Sequence, residues 1–218
     1  MSLFVGIEGP IAVGKTTLAR KIERELGYHP MHEPVEENPY LELFYQDMAR
    51  WGGIMQLHLL HHRYLDHLGA RVRVAEGTSV VQDRTIFGDT VFAENLHEAG
   101  LMSDLEWGTY RLAWRAMDVH VVRPDVILFL DAPAEALMAR VRTRNRPCER
   151  DMRLEYLAAL RKRYVRLHVQ MERQTDCLML DWTDPECRVP DVLALLRGIE
   201  QHRPPFGRER VAARLPRD

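Results

Sequence analysis

The chain has 218 residues, 46% of them hydrophobic and 28% charged, which suits one large domain and is too apolar for a disordered chain. Its formal net charge of -2 excludes whole-chain attraction to nucleic acid or to anionic membranes, so an anionic ligand has to be held by local charge. Cys148, Cys177 and Cys187 are odd in number and match no zinc spacing, which argues for reduced thiols in a cytosol and against metal held through sulfur.

In chain order, the N-terminal MSLFVGIEG carries no basic leader, and no apolar stretch approaches the ~18 residues of a membrane span, so a cytoplasmic location is expected. Residues 3 to 7 (LFVGI) predict a buried strand, and a glycine loop leads from it into a helix over 15 to 26 that Gly27 stops. A weaker strand is expected at 28 to 32, then helices over roughly 39 to 50 and 53 to 75. The apolar run at 78 to 82 predicts a strand, 87 to 99 and 103 to 120 two helices, and 125 to 130 another strand. Helices over 134 to 143 and 152 to 174 and a last strand at 176 to 180 complete the pattern. Strand and helix alternate throughout, which predicts a three-layer α/β domain over residues 1 to 200 with a five-stranded parallel sheet. Ligands then belong at the carboxyl ends of the strands. The stretch from 201 to 218, rich in proline and arginine with little periodicity, reads as a mobile tail.

Directly after the first strand stands GPIAVGKT, matching G-x-x-x-x-G-K-[ST] in the strand, loop, helix context that a P-loop requires. Gly9 and Gly14 let the loop of Gly9, Pro10, Ile11, Ala12, Val13 and Gly14 turn its backbone N–H groups, which Pro10 lacks, toward a triphosphate, and the following helix adds its positive dipole end through Lys15, Thr16 and Thr17. Lys15 suits the β and γ phosphates, and the Thr16 hydroxyl suits Mg²⁺. Only Lys15, Lys21 and Lys162 are lysines, the other 27 of the 30 basic residues being arginine, so a lysine at this position is informative. The bland alternative is a glycine turn that only caps a helix.

Two strands end in aspartate, VVQD at Asp83 and VILFLD at Asp131. Asp131, followed by Ala-Pro-Ala-Glu, is explained as the N-cap of the next helix with Pro133 in its first turn. Asp83 is followed by Arg84, whose planar guanidinium suits phosphate and developing oxyanion charge, so Asp83 is favoured for the metal over a plain Asp–Arg pair. On the acceptor side, Glu33 precedes Pro34, which biases it toward an extended backbone at a strand terminus. It is placed to take a proton from an attacking hydroxyl, and equally readable as a loop glutamate beside Glu36 and Glu37. Gln56 and Arg63, two turns apart on one helix face, suit the edge of a heterocyclic base or an exposed helix surface. Tyr45 lies on an otherwise apolar stripe, where a core aromatic is the default.

Taken together, GPIAVGKTT, EPVEENPYLELFYQD, QLHLLHHR, QDRTIFGD, NLHEAGLM and RVRTRNRPCERDMRLEYL resemble the deoxynucleoside kinases, in particular the bacterial deoxyadenosine and deoxyguanosine branch. The resemblance spans nearly all of residues 1 to 200 and implies a P-loop kinase fold that phosphorylates the 5′-hydroxyl of a deoxynucleoside with ATP and Mg²⁺. By that resemblance Glu33 matches the general base, Arg84 the arginine at the hydroxyl and transferring phosphate, and Asp83 the metal-associated acid. Tyr45 and Glu149 match the pair that grips the sugar 3′-hydroxyl, Gln56 the base-binding glutamine, and Arg63 with Asp89 a pair seen in members that accept purines or cytosine. The family's arginine-rich lid looks like residues 140 to 152, with Arg140 and Arg144 on one helix face toward the phosphates beside Arg142 and Arg146. A homodimer, formed through the helices at 39 to 75 and 87 to 120, is implied by resemblance alone. Two departures stand out: Asp83 replaces the Glu of many relatives, and Val35-Glu36-Glu37-Asn38 lacks an aromatic that many carry after Glu-Pro. The rivals are a thymidylate kinase-like enzyme acting on a monophosphate, and a catalytically silent P-loop protein.

Overall fold

The computed structural model describes residues 2–32 and 38–202. Strands β1 (Phe4–Glu8), β2 (His29–Met31), β3 (Val80–Asp83), β4 (Val126–Asp131) and β5 (Asp176–Asp181) form one parallel sheet in the order β2-β3-β1-β4-β5. The helices are α1 (Lys15–Leu26), α2 (Leu41–Gln46), α3 (Met48–Ala75), α4 (Ile86–Glu98), α5 (Asp104–Asp118), α6 (Ala134–Arg144), α7 (Leu154–Met171) and α8 (Pro185–His202).

The strands read as unbroken apolar runs because both faces of the sheet are covered. Val126, Leu128 and Leu130 of β4 join Leu18 and Ile22 of α1 and Val192 and Leu196 of α8 in one core cluster. Ile127 and Phe129 point the other way, into a second cluster with Leu60 of α3, Phe87 and Leu96 of α4, Tyr110 of α5 and Leu160 of α7. The expected three layers and five parallel strands are therefore present, and the central pairing of β1 between β3 and β4 sets their carboxyl ends side by side.

Three points about the helices differ from the sequence reading. The expected helix over 39 to 50 breaks at Asp47, whose side chain accepts the Arg50 N–H at 3.0 Å and so starts α3 five residues earlier than the pattern suggested. Asp131 does not cap α6: that helix starts behind Pro133 with no side-chain cap, and Asp131 instead accepts two bonds from the Arg161 guanidinium at 2.7 and 2.8 Å. Helix α8 occupies a stretch in which the sequence reading named no element, and Pro190 lies inside it. An interior proline costs about 3 kcal/mol, whereas Val189, Val192, Leu193, Leu196 and Ile199 all bury at helical spacing, each contributing about 1.5–3 kcal/mol. Burial wins. The helix runs two residues past 200, and residues 203–218 lie outside the described part of the chain. All three cysteines are free thiols.

Candidate active site

Between the carboxyl end of the sheet and helices α2, α3 and α6 lies a cavity of about 490 Å³. Its wall includes Ile11, Ala12, Lys15 and Thr16 from the P-loop and α1, Asp83 and Arg84 at the end of β3, Tyr45 on α2, Gln56 and Arg63 on α3, and Arg144, Arg146 and Glu149 at and beyond the end of α6. Residues from these five separate stretches of sequence thus converge where the topology places ligands.

The loop's shape is set by backbone conformations that few residues adopt. Gly9 has φ +144°, and a Cβ there would meet the Leu130 carbonyl oxygen at 2.5 Å, so only glycine fits. Gly14, at φ +111°, opens α1. The buried Lys15 ammonium donates to the carbonyls of Gly9 at 3.1 Å and Pro10 at 3.0 Å, which folds it over the loop. Thr16 Oγ1 donates to Asp83 Oδ2, and Asp83 Oδ1, also buried, has no hydrogen-bond partner among the described residues. A hydroxyl and a carboxylate with an unsatisfied oxygen, set beside a phosphate-binding loop, fit Mg²⁺, which takes one or two protein oxygens and fills its remaining positions with phosphate and water. Among the described residues no group of three or more His, Cys, Asp or Glu side chains could hold a metal unaided. With Asp131 committed to Arg161, Asp83 is the strand-end acid that faces Thr16.

Arg84 adopts φ +71°, a left-handed conformation that costs a non-glycine residue roughly 1–2 kcal/mol. Its buried guanidinium donates to the Tyr164 hydroxyl and lies 4.6 Å from the Phe92 ring centroid. The next residue, Thr85, caps α4 by accepting the Phe87 N–H at 3.2 Å. Behind this turn stands Glu8, the last residue of β1, which sequence reasoning passed over. It is fully buried, and Oε1 accepts both the Thr85 N–H at 2.8 Å and the Thr85 hydroxyl at 2.7 Å. Burial pushes its carboxyl up, while Arg84, the Thr85 bonds and Lys15 oppose that rise. The available signal was a charged residue ending a wholly apolar strand.

On the opposite wall, Gln56 is buried and its Oε1 has no partner among the described residues. A satisfied interior does not leave such an atom, so the amide is suited to a polar ligand edge. Arg63 lines the cavity and donates to Asp89 Oδ1, while Tyr110 of α5 donates to Asp89 Oδ2. Asp89 itself is fully buried behind Arg63 and is not part of the cavity wall, so it acts through the arginine. Tyr45 remains a neutral hydroxyl well past neutrality: burial pushes it up, and the Tyr156, Glu149 and Cys148 charges add to that. Tyr156 also lines the cavity and was missed, because α7 reads as a packing helix.

The lid residues divide. Asn145, at φ +51°, ends α6 and turns the chain into a single 3-10 turn, Pro147–Glu149, that delivers a buried Glu149. Arg144 pairs with both Glu149 oxygens at 2.8 and 2.7 Å, and Arg146 approaches at 3.8 Å. Arg140 does not share their surroundings. It grips the carbonyls of Val13 at 3.0 Å, Trp182 at 2.8 Å and Thr183 at 3.0 Å, tying the P-loop to the segment after β5 instead of lining the cavity. Glu33 lies outside the described residues, one position past His32 of the cavity wall.

The model of the deoxynucleoside kinase family matches residues 5–190. A deoxyadenosine kinase of Dictyostelium discoideum is 34% identical over 210 residues, which cover 93% of this chain and 84% of that protein. A deoxyguanosine kinase of Bacillus subtilis (strain 168) is 28% identical over 218 residues, covering 97% and 95%. A solved structure of deoxyadenosine kinase from M. mycoides, with the products dCMP and a flexible dCDP bound, superimposes with a TM-score of 0.79 at 24% identity, covering 89% of this chain and 98% of that one. At that identity the likeness establishes the fold.

Proposed function

The chain belongs to the deoxynucleoside kinase family, and from that premise we propose that it transfers the γ-phosphoryl group of ATP to the 5′-hydroxyl of a deoxynucleoside, purines preferred. One observation carries the reading. A phosphate loop with a Thr16–Asp83 pair and a wall of polar groups suited to a nucleoside face each other across one cavity.

In this reading the P-loop N–H groups and Lys15 hold the triphosphate, and Thr16 with Asp83 would hold Mg²⁺, which supplies charge neutralisation at the β and γ oxygens. Glu33 takes the proton of the 5′-hydroxyl as its oxygen bonds to the γ phosphorus. The bond from that phosphorus to the bridging oxygen breaks, and ADP leaves with the electron pair. Arg84 steadies charge on the transferring group, and Arg144 closes over it while excluding water. Tyr45 and Glu149 grip the 3′-hydroxyl. Gln56 and Arg63 read the base edge, with Asp89 and Tyr110 holding Arg63 in place; the acceptors of a purine suit such donors. Arg140 serves the donor side through the loop that it braces. The same proposal includes a homodimer through α3 and α5 and a cytoplasmic location; among the described residues no helix is long and apolar enough to cross a membrane.

Steady-state rates with deoxyadenosine, deoxyguanosine, deoxycytidine, thymidine and dTMP at fixed ATP test the reading. The purine deoxynucleosides are expected to exceed thymidine in kcat/KM by about tenfold or more, since a base that leaves a buried partner unsatisfied loses roughly 1–3 kcal/mol. Arg63→Ala should erase most of that difference. Phosphorylation of dTMP in preference to every nucleoside would replace the proposal with a monophosphate kinase, and no phosphorylation of any acceptor with a silent nucleotide-binding protein.

A further inference from the structure

We propose that Glu8 is a positioning residue for phosphoryl transfer: its carboxylate clasps Thr85 and thereby holds the preceding residue, Arg84, in the backbone conformation that delivers its guanidinium to the cavity. The inference rests on Arg84 acting in the transfer, as proposed above.

Three observations meet at this point. Arg84 is non-glycine at φ +71°, and such a conformation persists only where its surroundings over-determine it. Its own N–H is fixed by the Ile7 carbonyl at 3.0 Å, and the following residue is fixed twice by Glu8, at 2.8 Å through the Thr85 N–H and at 2.7 Å through its hydroxyl. The turn is therefore pinned on both sides of the strained residue by consecutive residues of β1. Second, a carboxyl with no exposed surface is expensive to keep where it performs no task. Glu8 places both bonds on Oε1, while Oε2 has no partner among the described residues. Third, the fold makes room for it: a Cβ on Gly88, in the first turn of α4, would run into the Glu8 carboxyl. Glu8 is not part of the cavity wall, whereas Arg84 lines it.

Because Oε1 alone does the clasping, the charge of Glu8 is less important than its acceptor oxygen. Glu8→Gln keeps that oxygen and Glu8→Ala removes it. The test is kcat and both KM values for these variants, with thermal unfolding and ATP binding measured alongside. A misplacement remote from the chemistry costs about 10²-fold, so Glu8→Ala is expected to lose kcat by that order with both KM values within about threefold of the parent. Glu8→Gln should keep most of kcat. A folded Glu8→Ala enzyme with kcat within about twofold of the parent overturns the proposal, as does a Glu8→Gln enzyme as impaired as Glu8→Ala. If Glu8→Ala does not fold, Thr85→Val against Thr85→Ser reads the same clasp: kcat lost in the first and kept in the second supports it, and equal kcat in both overturns it. Arg84→Ala separates the two levels, since an active Arg84→Ala enzyme sinks the role of Arg84 itself, whereas an inactive one beside an active Glu8→Ala enzyme sinks only the clasp.

Discussion

At the scale of single residues, two partnerless buried oxygens stand at the cavity, while a strand-end acid and a core histidine show pairing and neutralisation. Among the described residues Asp83 Oδ1 and Gln56 Oε1 have no partner at the cavity, whereas Asp131, at the carboxyl end of the strand on the other side of β1, accepts two bonds from Arg161. His67 shows the neutralising alternative. It is fully buried on α3 between the ring edges of Phe4 and Phe87, with Nε2 donating to the Val122 carbonyl at 2.6 Å. Burial pushes its pKa down from 6.5 to about 4; Arg123 adds to the fall, and Asp118 and the Val122 carbonyl oppose it. Above pH 6.5 neither the folded nor the unfolded chain protonates this ring, so its contribution is fully present. As pH falls toward 4 the unfolded chain takes up the proton first, and stability drops by about 3 kcal/mol. Denaturant unfolding of the parent and His67→Phe at pH 7 and pH 4 should show a pH dependence smaller by about that amount in the variant; equal dependence in both would remove His67 as the cause.

At the scale of elements, boundaries are decided by caps and by what the next element needs. Asp47 ends α2 by starting α3, and Thr85 starts α4 while its neighbour Arg84 enters the cavity. Helix α5 opens on a capping box in which Ser103 Oγ accepts the Glu106 N–H at 3.3 Å and Glu106 Oε2 accepts the Ser103 N–H at 2.8 Å. The same glutamate packs over Gly53 of α3, where an added Cβ would stand 2.5 Å from Glu106 Oε1, so the cap also seats α5 on α3. That matters to the site because Tyr110 of α5 reaches Asp89 and, through it, Arg63. Ser103→Ala is expected to cost about 1 kcal/mol, lowering Tm by about 2–4 °C for a chain of this size, with no change in kcat. A Tm equal to that of the parent in calorimetry would show that the box is not stabilising.

At the scale of the whole molecule, the sheet gathers distant segments at one edge and the outer helices leave a surface of a different kind. Helix α5 and its C-cap expose Leu105, Leu112 and Val119 at 85%, 72% and 75% in the single chain, and α3 exposes Leu65 and Val72 at 62% and 54%. The spacing of seven places each set on one helix face, and α3 and α5 pack together. Exposed apolar residues set in this way are the kind of surface on which the proposed dimer would form. Burying a leucine contributes roughly 1.5–3 kcal/mol, so sedimentation equilibrium should find the parent dimeric and Leu105→Glu/Leu112→Glu monomeric. A parent that sediments as a monomer at all concentrations would rule out the dimer.

Much of this was legible in the residues themselves. Short apolar runs and period-3.6 patterns specify the strands and most of the helices, because the side chains that must leave water recur at the spacing of the element that buries them. The P-loop is equally local: its glycines, Lys15 and Thr16 are neighbours in sequence, and their chemistry follows from that adjacency. What only the tertiary structure decided depends on partners far apart in the chain. Asp83 and Asp131 carry the same local pattern, and they part only because Thr16 faces one and Arg161 the other. Asp89 moves from the cavity wall to a support behind Arg63, Arg140 from the lid to a brace on the P-loop, and Glu8 from an overlooked strand end to a clasp. Helix α8 forms despite Pro190 because the sheet offers its apolar face a place to bury. Periodicity reports whether a side chain seeks water; which group it meets is set by the packing of elements that no local window contains.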